Sequence, residues 1–398
     1  MNNLINFGPL KVSRPWLQVA ACCAGAMLLL ACGGGGGGRS QPAAEPRTSF
    51  RIEGLYLVQS TQNFGGTLPL VADRKALLRV FVTGPEGVAA PEVEVRLGNT
   101  SGPAPGEVLV RTIPAPAAGA PARVQEGLLA RSWNLEVPEA YIQPGLTVRA
   151  ELVEPGTGRT VTFPADGRPR PVAVRTVPPL RVTLIPVQHN GTMGEIYGEG
   201  RTLEGWTEPF RRMYPVNQVL VTVGAPIRAI RDLSPDQATM DALLEQLEEA
   251  RVANGDQYRS YYYGVVKSGF TGNHTGHGNT APPHLPNHRC AFGHDRSGMG
   301  RWTYAGTFAH EIGHLLGQMH APSHGHGHLE PVGLDPRYPH AGGGIGVFGL
   351  DLAAMEVKAP DEYTDVMGYG SRAWISDYTW RRVLEHRAND VVSVAGPW

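Results

Sequence analysis

Between Arg51 and Val174 the apolar residues fall in short alternating runs split by Gly and Pro, and helical spacing is almost absent. Strands are predicted over 51–58, 76–82, 92–97, 132–137, 146–152 and 171–174. The Pro- and Ala-rich piece 112–122 reads as a long surface loop, and Pro178-Pro179 as a boundary. Residues 48–178 are therefore expected to form an all-β accessory domain, an immunoglobulin-like or jelly-roll sandwich.

Past the boundary the period changes. Apolar runs at 180–186 and 218–223 predict strands. Ser234-Pro235-Asp236-Gln237 then supplies a cap, a proline at the first helical position and Gln at the third. The helix that follows runs to about Val252, with Met240, Leu243, Leu244 and Leu247 as its inner stripe. The aromatic and β-branched run YYYGVVK, 261–267, is a further strand, and 305–316 a helix burying Phe308, Ile312, Leu315 and Leu316. Residues 179–398 thus read as a second, α+β domain.

The first residues read as an address. Lys11 and Arg14 precede an apolar stretch that ends in Leu29-Leu30-Ala31-Cys32, the arrangement of a lipoprotein signal peptide over 1–31. Cleavage there would leave Cys32 as the lipid-carrying residue, anchoring the chain to a membrane through a Gly-rich tether, 32–47. The expected location is that of an exported lipoprotein, at the outer membrane or cell surface. The apolar run is shorter than the roughly 20 residues of a membrane-spanning helix. Without residues 1–31 the chain has 33 basic and 36 acidic residues, a net −3 that points to no nucleic acid. Cys22 and Cys23 leave with the signal, so Cys290 is alone and reads as a buried small residue.

The chemistry concentrates in HEIGHLLGQMH, 310–320. On a helix His310 and His314 project from one face, so both rings reach one metal, while Glu311 beside them is placed to polarise a water. Gly317 ends the helix and turns the chain, which lets His320 complete a three-histidine zinc set with the fourth position open. Downstream, DVMGYG places Met367 in a turn, with Tyr369 two residues later.

His310, Glu311, His314, Gly317 and His320, with Met367, match the extended zinc motif and Met-turn of the metzincin metallopeptidases, which this chain resembles. The segments YPHAGGGIGVFGLD, DVMGYG and WISDYTW make it most similar to the bacterial secreted branch of dictomallein and the mucin-cleaving proteases. The resemblance covers about residues 180–385, and 50–175 only weakly through LVADRKALLRVFVTG. It implies an α+β metzincin-like zinc peptidase domain behind the sandwich, with Zn2+ as cofactor. The implied activity is hydrolysis of protein or glycoprotein substrates by zinc-activated water, with Glu311 as general base and acid. It also implies that 261–267 is an edge strand receiving substrate, an interior strand being the alternative. In some members a tyrosine two positions after the turn methionine alternates between the zinc and the developing oxyanion; this is the role implied for Tyr369, with a packed aromatic as the alternative. Met367 is then a structural floor under the metal. Asp365 is expected to orient a ligand histidine.

Other histidines are discounted. His274, His277, His284, His288 and His294 lie in a glycine- and proline-rich stretch, and His324, His326 and His328 in SHGHGH; both are expected to be exposed loops. The run Gly342 to Gly344 lacks the Lys-Ser/Thr of a phosphate loop, so no nucleotide is implied. A monomer is expected. Trp206, Trp302 and Trp374 are candidates for either surface or core. Two other readings use the same features: a zinc amidase acting on cell-wall peptides, and a surface binding lipoprotein with a vestigial enzyme domain.

Overall fold

A computed structural model describes residues 48–101, 106–234, 236–267, 275–280, 282, 284–285, 287–298, 300–323 and 333–391. The expected leader, the tether with Cys32, Pro235, and His274, His324, His326 and His328 lie outside the described residues. From Ala44 onward the chain is one compact unit of mostly β structure with four helices among the described residues.

Its N-terminal part has two antiparallel sheets. Strands β1 (Arg51–Val58), β2 (Ala76–Thr83) and β5 (Trp133–Val137) form one, in the order β1-β2-β5. Strands β3 (Val93–Asn99), β4 (Gly106–Ile113), β6 (Leu146–Val153) and β7 (Thr160–Phe163) form the other, in the order β4-β3-β6-β7. Leu55, Leu78 and Val80 of the first sheet and Val95, Leu97 and Val148 of the second share one core around Trp133. β3 buries every second residue, as its alternation requires. β4 and β7 are absent from the elements the pattern predicts. β4 pairs only with β3 and leaves Val108 and Val110 exposed, so burial does not follow apolarity there.

The C-terminal part is a mainly parallel sheet. Strand β8 (Leu180–His189) lies between β9 (Val219–Val223) and β10 (Tyr261–Val266), and β10 continues to β12 (Cys290–His294), all parallel. Strand β11 (Gly276–Gly278) closes the edge, antiparallel to β12. All six residues of β10 are buried, so Tyr261–Val266 is an interior strand, and the edge expected there belongs to β11. A strand covered on both faces shows a continuous apolar run rather than alternation.

Helix α1 (Leu203–Met213) is not predicted by the pattern, because Pro209 sits inside it; its amphipathic face buries Trp206, Phe210 and Met213. Helix α2 (Gln237–Ala253) buries Met240, Leu243, Leu244 and Leu247 as expected, but its cap is Asp236, whose carboxylate accepts from Thr239 N, not Ser234. Helix α3 (Tyr304–Leu315) packs Phe308 against Trp206, Phe210 and Tyr263. Helix α4 (Asp377–Asn389) follows the DVMGYG turn. Trp206 and Trp374 are core residues, and Cys290 is fully buried, donating to Glu248. No described helix is long and apolar enough to cross a membrane.

Candidate metal centre

Helix α3 carries the first two histidines of the centre. Thr303 starts it by accepting from Gly306 N, and Gly317 stops it in the left-handed region, at φ 77°. Gly317 N donates to His314 O and Gln318 N to Gly313 O, a closing pair of bonds that turns the chain sharply after the helix. His320 N then donates to Gly333 O, and Ala321 N to Met367 O, which ties the third histidine to the methionine turn.

The result is convergence. One ring nitrogen from each of His310, His314 and His320 lies within 4.8 Å of the others, and His314 Nε2 and His320 Nε2 are 3.1 Å apart. The rings of His310 and His314 stand edge to face at 4.9 Å, and those of His310 and His320 are stacked at 5.2 Å. The rear nitrogens are held by backbone: His310 Nδ1 donates to Val366 O at 2.9 Å and His314 Nδ1 to Gln318 O at 2.7 Å. Those bonds leave Nε2 of both rings as acceptors aimed at the shared point. Burial drives the pKa of His310 well below the usual histidine range and that of His314 down to about 3, neighbouring imidazoles adding to both. Two buried imidazoles held neutral by burial, converging with a third, half-buried one, make a donor set suited to a metal cation.

Glu311 is buried and accepts no protein hydrogen bond among the described residues. Burial alone pushes its pKa up to about 8. Its carboxylate lies against the edge strand: a Cβ on Gly276 would sit 2.8 Å from Oε1, and one on Gly278 3.1 Å from Oε2. Glycine at both positions lets the carboxylate approach β11.

Met367 is buried, and its Sδ lies so near Gly313, between the two helical ligands, that a Cβ there would be 2.4 Å away. Tyr214 donates its hydroxyl to the same sulfur at 3.4 Å. The ring of Tyr369 stands 5.2 Å from that of His320 and 5.9 Å from that of His310, and its backbone N donates to Ser323 Oγ. Asp365 does not touch a ligand histidine. Its oxygens accept from Met367 N and Ser376 N and hold the turn, while the backbone carbonyls of Val366 and Gln318 orient the rings.

Sequence reasoning missed three contributors. Arg301 donates to Val366 O and Gly370 O on either side of the turn, and its guanidinium lies 4.5 Å from the Trp302 ring. Trp302 meets His310 at 5.3 Å and Tyr369 at 5.5 Å, an aromatic wall rather than core. Tyr214 is the third. The pair Arg301-Trp302 just ahead of the helix cap was the available signal. Among the discounted histidines, His284 and His288 are exposed as expected. His294 is instead buried on β12, and His277 is half-buried on β11, 3.0 Å from Gln237 Nε2.

No protein-family model and no curated protein sequence matches the chain. Among solved structures, β-glucuronidase from Parabacteroides merdae is similar over 54% of this chain and 30% of that one, at 13% identity and a TM-score of 0.20. The chain therefore spans less than a third of that enzyme, and a likeness of this size carries no argument.

Proposed function

We propose that the chain is a zinc-dependent endopeptidase of the metzincin type, acting on protein or glycoprotein substrates at the cell surface. The observation that carries this reading is the convergence of His310, His314 and His320 with an unpartnered, buried Glu311 beside them. The donor set fits zinc. Four tetrahedral ligands at about 2.1 Å place neighbouring donor atoms about 3.4 Å apart; His314 Nε2 and His320 Nε2 are 3.1 Å apart, and all three donor atoms lie within 4.8 Å of one another. The lowered pKa values of His310 and His314 and their carbonyl-bound rear nitrogens favour the protonation state that a zinc ligand needs.

When bound, the ion supplies an acidified water and a polarised scissile carbonyl. Glu311 would hold the proton taken from water and pass it to the leaving amine, a role suited to a buried carboxylate with no donor among the described residues. A positive charge at the three histidines would lower the Glu311 pKa from its present raised value, favouring the base form. The Tyr369 ring, 5.2 Å from that of His320 and 5.9 Å from that of His310, supports a role as donor to the oxyanion. Met367 floors the helix at Gly313. The run Leu29-Leu30-Ala31-Cys32 supports export and anchoring by lipid, and the net −3 of the remaining chain gives no support for nucleic acid as partner.

The test is hydrolysis of a proteome-derived peptide library, with and without a zinc chelator, and bound metal counted in the same sample. One zinc per chain with chelator-sensitive cleavage is expected. Absence of zinc from protein purified and reloaded under zinc would overturn the reading.

A further inference from the structure

We infer that Arg74, which belongs to the β-rich N-terminal part, is a positioning residue for the metal centre and acts through Tyr214 on Met367. The inference rests on the zinc reading above. Arg74 lies in the turn before β2, and its guanidinium reaches the C-terminal end of α1. Nη1 donates to Tyr214 O and to Val216 O at 3.3 Å; Nη2 donates to Arg212 O at 3.2 Å and Ser60 Oγ at 2.7 Å. Ser60 Oγ in turn donates to Arg212 O at 2.7 Å, and the guanidinium lies 5.5 Å from the Trp380 ring.

No described carboxylate pairs with Arg74, and besides Ser60 Oγ and Gln59 O the groups it satisfies are carbonyls at or just past the negative end of α1. This holds Tyr214, the residue that ends α1, at its own carbonyl. The Tyr214 ring stacks on Phe210 at 4.2 Å, so backbone and ring move together. Its hydroxyl is wedged at the metal helix. It donates to Met367 Sδ at 3.4 Å and would be 2.5 Å from a Cβ on Gly313. Arg74, Tyr214, Met367 and Gly313 thus form one contact path from the N-terminal sheets to the point between two ligand histidines. The N-terminal part is then a working piece of the centre as well as an accessory to it.

The experiment uses the full chain loaded with zinc, and separately with cobalt as a visible probe of ligand geometry, in wild type, Arg74→Met, Arg74→Lys, Tyr214→Phe and the Arg74→Met/Tyr214→Phe double variant. Zinc retention against a competing chelator should weaken at least ten-fold in Arg74→Met and in Tyr214→Phe. The double variant should be no weaker than the worse single variant, because the two act in series. The cobalt spectrum should shift in both single variants, and Arg74→Lys should recover part of the loss. Tyr214→Phe keeps the ring, so it remains informative if Arg74→Met fails to fold. Folded Tyr214→Phe with wild-type cobalt spectrum and zinc retention would overturn the path, as would losses that add in the double variant. A wild type that binds no metal overturns the zinc reading itself and the inference with it, a result recognisable before any variant is compared.

Discussion

Two buried carboxylates separate the halves of this molecule. In the N-terminal sheets Glu154 accepts from Arg159, from Phe50 N and from Thr157, and those donors hold its pKa down at about 2. In the C-terminal part Glu311 is buried with no donor among the described residues, and burial raises its pKa to about 8. A carboxylate surrounded by donors is fastened structure. One buried without them is chemistry waiting for a ligand, since its desolvation is left uncompensated by the protein. The same contrast runs through both halves: Arg79 is surrounded by Tyr56, Ser132 and Glu126 O, whereas the three ligand histidines turn their Nε2 atoms toward a common point.

That contrast can be broken by experiment. Glu311→Gln keeps the shape and removes the base. Peptide hydrolysis should fall by about 10²- to 10⁴-fold while one zinc per chain is retained, read by turnover and metal analysis on the same preparation. Trp133→Ala empties the centre of the N-terminal core and should cost about 3–5 kcal/mol in urea unfolding. Its turnover per folded molecule should stay at the wild-type value, because Trp133 touches no part of the path to Met367. Gly313→Ala places a methyl against Met367 Sδ and the Tyr214 hydroxyl, an overpacking cost of about 1–3 kcal/mol, and zinc retention should fall with it. Retention unchanged in Gly313→Ala would detach the methionine floor from the ligands.

The smallest effect concerns acid. Because the folded pKa of Glu154 is depressed, its contribution is present above its usual value near 4.5 and is lost as pH falls toward about 2. The melting temperature of Glu154→Gln should therefore lie below that of wild type at pH 6, with the gap closing across that window. A gap that stays constant to pH 2 would show that the ionised form is not what the donors stabilise.

How much of this was legible in the sequence depended on distance along the chain. His310, His314, Gly317 and His320 are local, and helix geometry with one positive-φ glycine is enough to bring them together. The β1, β2 and β6 strands were legible for the same reason, as short runs rich in apolar and β-branched residues. What failed was non-local. Whether Tyr261–Val266 lay inside the sheet depended on Gly276–Gly278, three residues too few to show a pattern. Asp365 was read as a partner for histidine, but two backbone amides nearby capture both of its oxygens. Helix α1 was hidden by Pro209, whose cost is offset by burying Trp206 and Phe210. Arg74 offered no signal, since the helix-end carbonyls it reaches lie about 140 positions away.

One seam bears on how the molecule is made. Trp374 Nε1 donates to Ser60 O across 314 positions, and Trp380 Nε1 to Pro69 O across 311. Closing loops of that length is entropically unfavourable and slow, and neither bond can form until the chain through Trp374 has left the ribosome. The N-terminal sheets can condense as they emerge, but the loop after β1 that accepts from Trp374 and Trp380 stays open until those residues arrive. The pocket of histidines is therefore expected to be the final piece assembled during synthesis, and a chain halted before Trp374 should emerge with sheets but without a finished place for the ion.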